Sequence, residues 1–336
     1  MAALLTLGDA ADLTDIAIQD IWLKTSELEK VAVYNKLFNV VSGITDYLHK
    51  DSSMTGLGNA SRLVENAVVL GESPIQGFDK TYTQVEYGKL MAVTKNMWKF
   101  GIKKRNLTSV VNQLRAACER EREILCGDRY DNSHATSYTA SDDNGNYSVS
   151  TVGGDSAAAI SASHTREDGG TNWSNVLSDG TTLNMDFDYD AVKAAHRTMA
   201  LIKDGKGNLM NGNVTTMVTR KGYANAFRAR EILGAIKSGG SRSLPSSAQN
   251  DAAGVPDFDV IETPWISSNT AYWWMMDKAM IGDDYGFQYK ESQPISLEGP
   301  NVVFKTGEIQ YKSTMMFDIG HNDSRCTIGS KNTNAA

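Results

Sequence analysis

The sequence predicts an α+β fold, and three observations carry that prediction. Residues 307–320, GEIQYKSTMMFDIG, alternate over about eleven positions: Ile309, Tyr311, Ser313, Met315, Phe317 and Ile319 face one way, Glu308, Gln310, Lys312, Thr314, Met316 and Asp318 the other. At about 3.4 Å per residue this is a strand of roughly 37 Å, about twice the usual length. Leu107, Val110, Val111, Leu114, Ala117, Cys118 and Leu125 instead follow the i, i+3, i+4, i+7 spacing of a helix. Between these two segments the chain reads helix, strand, helix, loop, strand, with no glycine-rich phosphate turn. A strand that long after a helical middle suits an extended plate better than a compact enzyme core.

The elements follow in chain order. Residues 1–50 are helical in pieces, with apolar positions at Leu13, Ile16, Ile21 and Leu23 and again at Leu28, Val31, Leu37 and Val40. They precede any evident core and read as an arm that packs on a neighbour. Residues 55–95 read as a long, partly exposed loop or hairpin, glycine-rich at first, whose second strand (82–94) enters the core. Leu57, Leu63, Val64, Val68, Val69 and Ile75 have no evident home within one subunit. The helix is expected over 106–126, with Asn106 as cap and Gly127 as stop. Its polar residues, Arg115, Glu119, Arg120, Glu121, Arg122 and Glu123, form either a solvated face or a contact strip for another subunit. Residues 131–180, rich in Ser, Asp, Asn, Gly and Thr, read as a surface insertion with a hairpin near 147–152. Asp188 caps a helix with Val192, Ala195, Met199 and Ile202 inward, and 214–219 is a buried strand. A helix over 221–236 turns Tyr223, Ala226, Phe227, Ile232 and Leu233 inward; 238–256 is a loose loop, and 259–262 and 270–275 are strands.

Composition bounds the function. A chain of 336 residues, 41% hydrophobic and 22% charged, suggests about two domains and an ordinary globular core. A net charge of -7 argues against a general grip on nucleic-acid phosphates. Cys118, Cys126 and Cys326 read as reduced thiols, since the first two are too far apart along a helix to bridge. The start MAALLTLGDAADLTDI lacks a basic leader and a sustained apolar core, and no apolar run is long enough to span a bilayer.

No chemistry-bearing constellation stands out. His49, His134, His164, His196 and His321 are scattered without partners at metal-ligand spacing. Asp186, Asp188 and Asp190 alternate, but Ala191 stands where a calcium loop needs glycine, and 204–208 reads as a turn. Trp265, Trp273 and Trp274 near Tyr272 suit core packing or a subunit contact better than a sugar or base site, because no basic residues interleave with them. The residues thus indicate no catalytic, metal or cofactor site. A hydrolase or binding protein using the tryptophans, His321 or Asp323 stays open as an alternative.

The order of these parts resembles the major capsid proteins of tailed bacteriophages, the Hong Kong 97 fold. YGKLMAVTKNMWKFGIKKRNLTSVVNQLRAACERERE (87–123) resembles the strand leaving the extended loop and the spine helix. DYDAVKAAHRTMALIKDGKGNLMNGNVTTMVTRKGYANAFRAREIL (188–233) and DFDVIETPWISSNTAYWWMMD (257–277) resemble the axial domain. GEIQYKSTMMFDIGHNDSRCTIGS (307–330) resembles the terminal peripheral strand and its polar ending. The resemblance implies an N-terminal arm at 1–50, an extended loop and returning strand at 51–95, and a peripheral domain at 96–185 with the spine helix and a polar insertion. It further implies an axial domain at 186–295 and peripheral strands with the C-terminus at 296–336. It also implies a homo-oligomer of hexamers and pentamers closing an icosahedral shell around double-stranded DNA, held without specific contacts. Scaffolding (separate, or none), portal and decoration proteins are the implied partners; enzymatic activity and a membrane are not. The interface candidates are the six loop residues with Arg115, Glu119, Arg122, Glu123, Asp323 and Arg325. The lysine, asparagine and glutamate that crosslink shells in one branch find no match. A cellular encapsulin-like shell remains the alternative within the fold.

Overall fold

The computed structural model describes residues 22, 31–63, 65, 68–69, 71–94, 104–178, 183–237, 256–282 and 285–332. The helical pieces expected over 1–21 and 23–30, Val64, and the loop over 238–255 lie outside them. In chain order the elements begin with α1 (Tyr34–Leu37), β1 (Asn39–Ser42), β2 (Leu48–Met54), β3 (Gln76–Thr83), β4 (Val85–Val93) and α2 (Lys104–Asp131). Next come β5 (Ser137–Asp142), β6 (Gly145–Ser150), α3 (Tyr189–Leu201), β7 (Thr216–Arg220) and α4 (Ala224–Lys237). The last are β8 (Asp259–Thr263), β9 (Trp273–Met276), β10 (Phe287–Val302), β11 (Ile309–His321) and β12 (Thr327–Ser330).

β11 is the expected long strand. It lies at the centre of a four-stranded sheet ordered β1-β10-β11-β4, antiparallel to both neighbours. Tyr311, Ser313, Met315, Phe317 and Ile319 are buried along one face, as their period-2 spacing requires. A second sheet is ordered β12-β9-β7-β8. β9 (WWMM) and β12 are buried at every position and β7 at all but its last, because both faces of the sheet are covered there. Met217, Trp273 and Met275 join α3 and α4 in one core, while Val218, Trp274 and Met276 face the other way and join Cys118, Leu125, Cys126 and Tyr130 of α2. The indole N–H groups of Trp273 and Trp274 donate to Met185 O (3.3 Å) and Ser133 Oγ (2.9 Å), so both tryptophans are satisfied core residues. All three cysteines are buried free thiols.

Several expectations need correcting. α2 is longer than 106–126: Asn106 lies inside it, and Gly127 does not stop it. Gly127 is there for proximity, since a Cβ at this position would stand 2.6 Å from both Cβ and O of Trp265. The helix instead ends at Asp131, whose carboxylate accepts from the backbone N–H of Ser268 (2.8 Å) and Asn269 (2.7 Å) and so locks the next turn of the second sheet's connection. Gly127→Ala is therefore expected to lower stability by about 2 kcal/mol despite alanine's better helix propensity, because the Trp265 backbone has to move. A urea midpoint at or above that of the unmodified protein would contradict this.

Asp188 does cap α3, accepting from Ala191 N at 2.7 Å. Tyr223 and Phe227, expected inward, are exposed, and Ala226, Ala229 and Ile232 carry the buried face of α4. Within 131–180 the β5–β6 hairpin and most of 162–172 lie at the surface as expected, but Ala159, Ile160, Val176 and Leu177 are core residues. The expected boundary at 295/296 falls inside β10, and β12 crosses to close the second sheet. Register shifts at Glu291/Gln293, Gln293/Ser296 and Glu298/Asn301 break the alternation that marks β10 as one strand.

Candidate assembly surface

β2 and β3 form a two-stranded ribbon apart from both main sheets. Its outer end is closed by Thr55, whose N–H donates to Ile75 O at 2.9 Å and whose Oγ1 accepts from Ile75 N at 2.9 Å. Beyond that clasp lies the loop. Leu57, Leu63, Val68, Val69 and Ile75 are between 41% and 82% exposed, so five of the six predicted apolar loop residues stand in solvent in the isolated subunit. The loop touches its own subunit mainly through polar groups. Glu72 accepts from Gly58 N (2.8 Å) and pairs with Lys206 Nζ (2.6 Å), and Asn208 Nδ2 donates to Leu57 O (3.2 Å). The Lys206 bond holds the Glu72 carboxyl below its usual range. The 204–208 turn is organised by Asp204 Oδ1, which accepts from Lys206 N and Asn208 N at 2.9 and 2.8 Å, as the sequence predicts for a turn.

The root of the ribbon meets a buried polar network that the sequence reading missed. Lys80 Nζ donates to Val152 O (2.7 Å), Gly154 N to Asn322 O (3.0 Å), and Asn322 Nδ2 to Phe78 O (3.2 Å). Beside them Arg325, only 2% exposed, grips Glu167 through both guanidinium ends (3.2 and 3.0 Å) and also donates to Asp323. Its guanidinium lies 5.1 Å from the centre of the Trp173 ring. Burial raises the Asp323 carboxyl to about 6. Asp323 and Arg325, expected at a subunit contact, thus turn into their own subunit. Glu167, Trp173, His164 and Asp155 were not singled out because they sit in a Ser-, Gly- and Asn-rich stretch with no periodicity, where only the unusual Trp and His mark a buried site.

Arg115, Glu119, Arg122 and Glu123 also face inward. Glu119, Arg122 and Glu123 are 1%, 5% and 3% exposed, which corrects the solvated-face reading for these three; Arg120 alone remains outward, with Glu121 half-buried. Glu119 holds Arg115 (2.8 Å), and Arg115, Arg122 and Glu123 bind Trp22, Val33 and Tyr34 of the chain's own N-terminal part. Glu123 caps α1 by accepting from Val33 N (3.1 Å) and Tyr34 N (3.4 Å), Arg122 stacks 3.9 Å from the Tyr34 ring centre, and Arg115 donates to Trp22 O at 2.5 Å. Burial pushes the Glu123 carboxyl up, against those two backbone bonds.

His321, the open candidate for chemistry, is 3% exposed, packs edge-on against Phe287 at 5.6 Å, and leaves Nε2 without a hydrogen-bond partner. Burial, helped by Lys80, lowers it to about 3. An unfolded histidine titrates near about 6.5, so folding excludes a proton between those values. Stability from this group is complete above about pH 6.5 and is lost as pH falls toward 3. Between pH 7 and pH 4 the loss is about 3 kcal/mol, and His321→Leu is expected to remove that share of the acid dependence. Urea midpoints at the two pH values check it; an equal drop in both proteins would refute it. Among the described residues no group of His, Cys, Asp and Glu is placed to hold a metal ion, and no helix is long and apolar enough to cross a membrane.

Residues 78–328, about three-quarters of the chain, match the family model described as phage capsid protein. The chain belongs to the phage capsid protein family. Its fold agrees. A solved chain of Microbacterium phage Oxtober96 superposes with a TM-score of 0.51 at 11% identity, covering 98% of this chain and 99% of that one. The capsid structure of the cyanophage P-SCSP1u gives a TM-score of 0.51 at 12% identity, with 93% of each chain covered. At such identity the likeness concerns the fold, which is that of the Hong Kong 97-like capsids. No curated protein matches the sequence. For a capsid protein the salient geometry is a loop of exposed apolar side chains at the outer end of the β2–β3 ribbon, tied to the body by Glu72–Lys206 and Asn208–Leu57.

Proposed function

We propose that this major capsid protein assembles as hexamers and pentamers into an icosahedral shell around double-stranded DNA, in the cytoplasm of the host, and has no enzymatic activity. The observation that carries the reading is the loop at 56–74, whose described residues Leu57, Leu63, Val68 and Val69 stand in solvent while polar ties, Glu72 to Lys206 and Asn208 to Leu57, hold it to its own subunit. Covering them on a neighbour would contribute about 25 cal/mol per Å² of apolar area, repeated at each symmetric contact. Leu57, Leu63, Val64, Val68, Val69 and Ile75 are the proposed contact residues. Arg115, Glu119, Arg122 and Glu123 act at one remove, by seating Trp22 and the start of α1 at Val33 and Tyr34, and Asp323 and Arg325 by holding the ribbon root. We keep the division into arm (1–50), loop (51–95), peripheral and axial parts as a description of roles in the shell. The net charge of -7 suits a wall that encloses DNA without gripping it. Scaffolding, portal and decoration proteins are the expected partners.

Electron microscopy of the protein expressed alone, with light scattering on the same sample, tests this. Closed shells or rings of five and six are the expected result. Absorbance of purified shells then separates nucleic acid from protein cargo. A 36.6 kDa monomer at high concentration, unmoved by an added scaffolding protein, would overturn the reading.

A further inference from the structure

Between α2, β4 and the tip of the β5–β6 hairpin lies a groove of about 500 Å³. That volume is in the range of clefts that take a ligand, about 300–1,000 Å³. Its floor is apolar, made by Tyr87, Ala117, Ile124 and Met315. β4, which lines one side, is the outermost strand of the first sheet, an edge of the kind that other chains can lie against. The hairpin tip is pinned over the groove by Lys89 Nζ, 2.7 Å from Asp143 Oδ2. The remaining charges are out of balance. Lys89 is taken by Asp143, and Glu86 by Lys312 at 2.9 Å. Glu121 and Asp142 line the groove, and among the described residues no cation is paired with either. Burial, with Asp142 and Asp143 beside it, pushes the Glu121 carboxyl up, and Lys89 offsets only part of this. Arg120, on the same lining, is exposed and equally unpaired among the described residues.

The loop at 56–74 carries the complement. It contains a single basic residue, Arg62, followed by Leu63 and, two positions on, Glu65. All three are exposed, and neither Arg62 nor Glu65 is paired among the described residues. A cation, an apolar side chain and an anion thus stand free on the loop. The groove offers a carboxylate pair, an apolar floor and a guanidinium. Within its own subunit the loop is tied to the 204–208 turn, through Glu72 to Lys206 and Leu57 to Asn208, so the groove is left for a loop that arrives from another copy.

We propose that Arg62, Leu63 and Glu65 of one copy seat in this groove of a second copy, Arg62 against Glu121 and Asp142, Leu63 on the apolar floor, and Glu65 toward Arg120. The inference rests on the assembly reading and gives the loop its receiving surface. A guanidinium between the two carboxylates relieves their repulsion with charge-assisted hydrogen bonds. Loop and groove are different patches of the same chain, so the contact is head-to-tail and generates a ring where the rotation closes. The opposite signs at Arg120 and Glu121 set the direction in which the loop lies, since a reversed loop would bring like charges together.

Charge reversal tests it, with closed shells counted by electron microscopy. Arg62→Glu and Glu121→Arg should each cut the yield at least about tenfold, because like charges then meet at every such contact. The double variant should recover most of the yield, since the pair is restored with its signs exchanged. Circular dichroism checks that each variant folds; if Glu121→Arg does not, Asp142→Arg on the exposed hairpin takes its place. Single variants that assemble normally, or a double variant no better than the worse single one, would overturn the proposal. A bismaleimide added to assembled Arg62→Cys/Asp142→Cys protein identifies whose groove is filled, the native thiols being buried. Linked multimers are expected, and linkage confined to single chains would overturn the assignment to a second copy. Shells of the unmodified protein that ignore these charges would remove the groove and leave the assembly reading standing, whereas failure of that reading shows as no shells from the unmodified protein.

Discussion

Subunits in which Asn-Gly replaces residues 56–74 are expected to fold and to form no closed shells. Thr55 and Ile75 already face each other with a backbone hydrogen bond of 2.9 Å from Thr55 N to Ile75 O, the geometry that a two-residue turn closes. The ribbon therefore survives the replacement. What is lost within the subunit is the pair of Glu72 with Lys206, the bond from Asn208 to Leu57, and exposed apolar side chains that stabilise nothing locally. Shortening the loop also lowers its closure cost, so the denaturation midpoint should change little. Deleting 55–80 is a poorer test. It removes the Thr55 clasp, most of β3, and Phe78 and Lys80, which bind Asn322 and Val152. Electron microscopy and light scattering on the Asn-Gly variant, with circular dichroism as the folding control, give the answer. Normal shells from a folded variant would move closure to other surfaces.

The sequence was legible where one physical signal dominates. β11 alternates because a single face is buried, and α3 shows both its cap and its apolar stripe. The exposed loop residues were found because Leu57, Leu63, Val68 and Val69 lie in a glycine-bearing segment without any period. Failures came where tertiary contact decides. Gly127 carries the sequence signature of a helix stop, but its lack of a side chain serves the Trp265 backbone. Arg115, Glu119, Arg122 and Glu123 look like a solvated strip until Trp22, Val33 and Tyr34 are laid against them. Polarity misled most at 151–178. There Asn175 and Glu167 are buried because each meets a partner distant in sequence, and no local pattern announces such pairing.

Arg325→Leu is expected to be among the most destabilising single substitutions in the chain, costing about 3–5 kcal/mol. Arg325 neutralises two buried carboxylates, Glu167 by a two-pronged grip and Asp323 from the adjoining turn. Leucine fills part of the volume and leaves both groups desolvated without a counter-charge, which is the expensive half of a buried ion pair. Arg325→Lys should recover only part of the loss, since an ammonium cannot reproduce two parallel bonds to Glu167 while also reaching Asp323. The signature that separates charge from packing is the double variant. Adding Glu167→Gln to Arg325→Leu removes one stranded charge and should restore stability by more than about 1 kcal/mol, although Glu167→Gln alone is destabilising. Urea midpoints of the single and double variants close that cycle. Strictly additive losses would mean that Arg325 acts through packing on Trp173, at 5.1 Å, and that the carboxylates find relief elsewhere. The same substitution should weaken shell formation more than its stability cost alone requires. The bonds it loosens lie beside Asn322 and Phe78, so the ribbon would keep its strands and lose its fixed angle to the body.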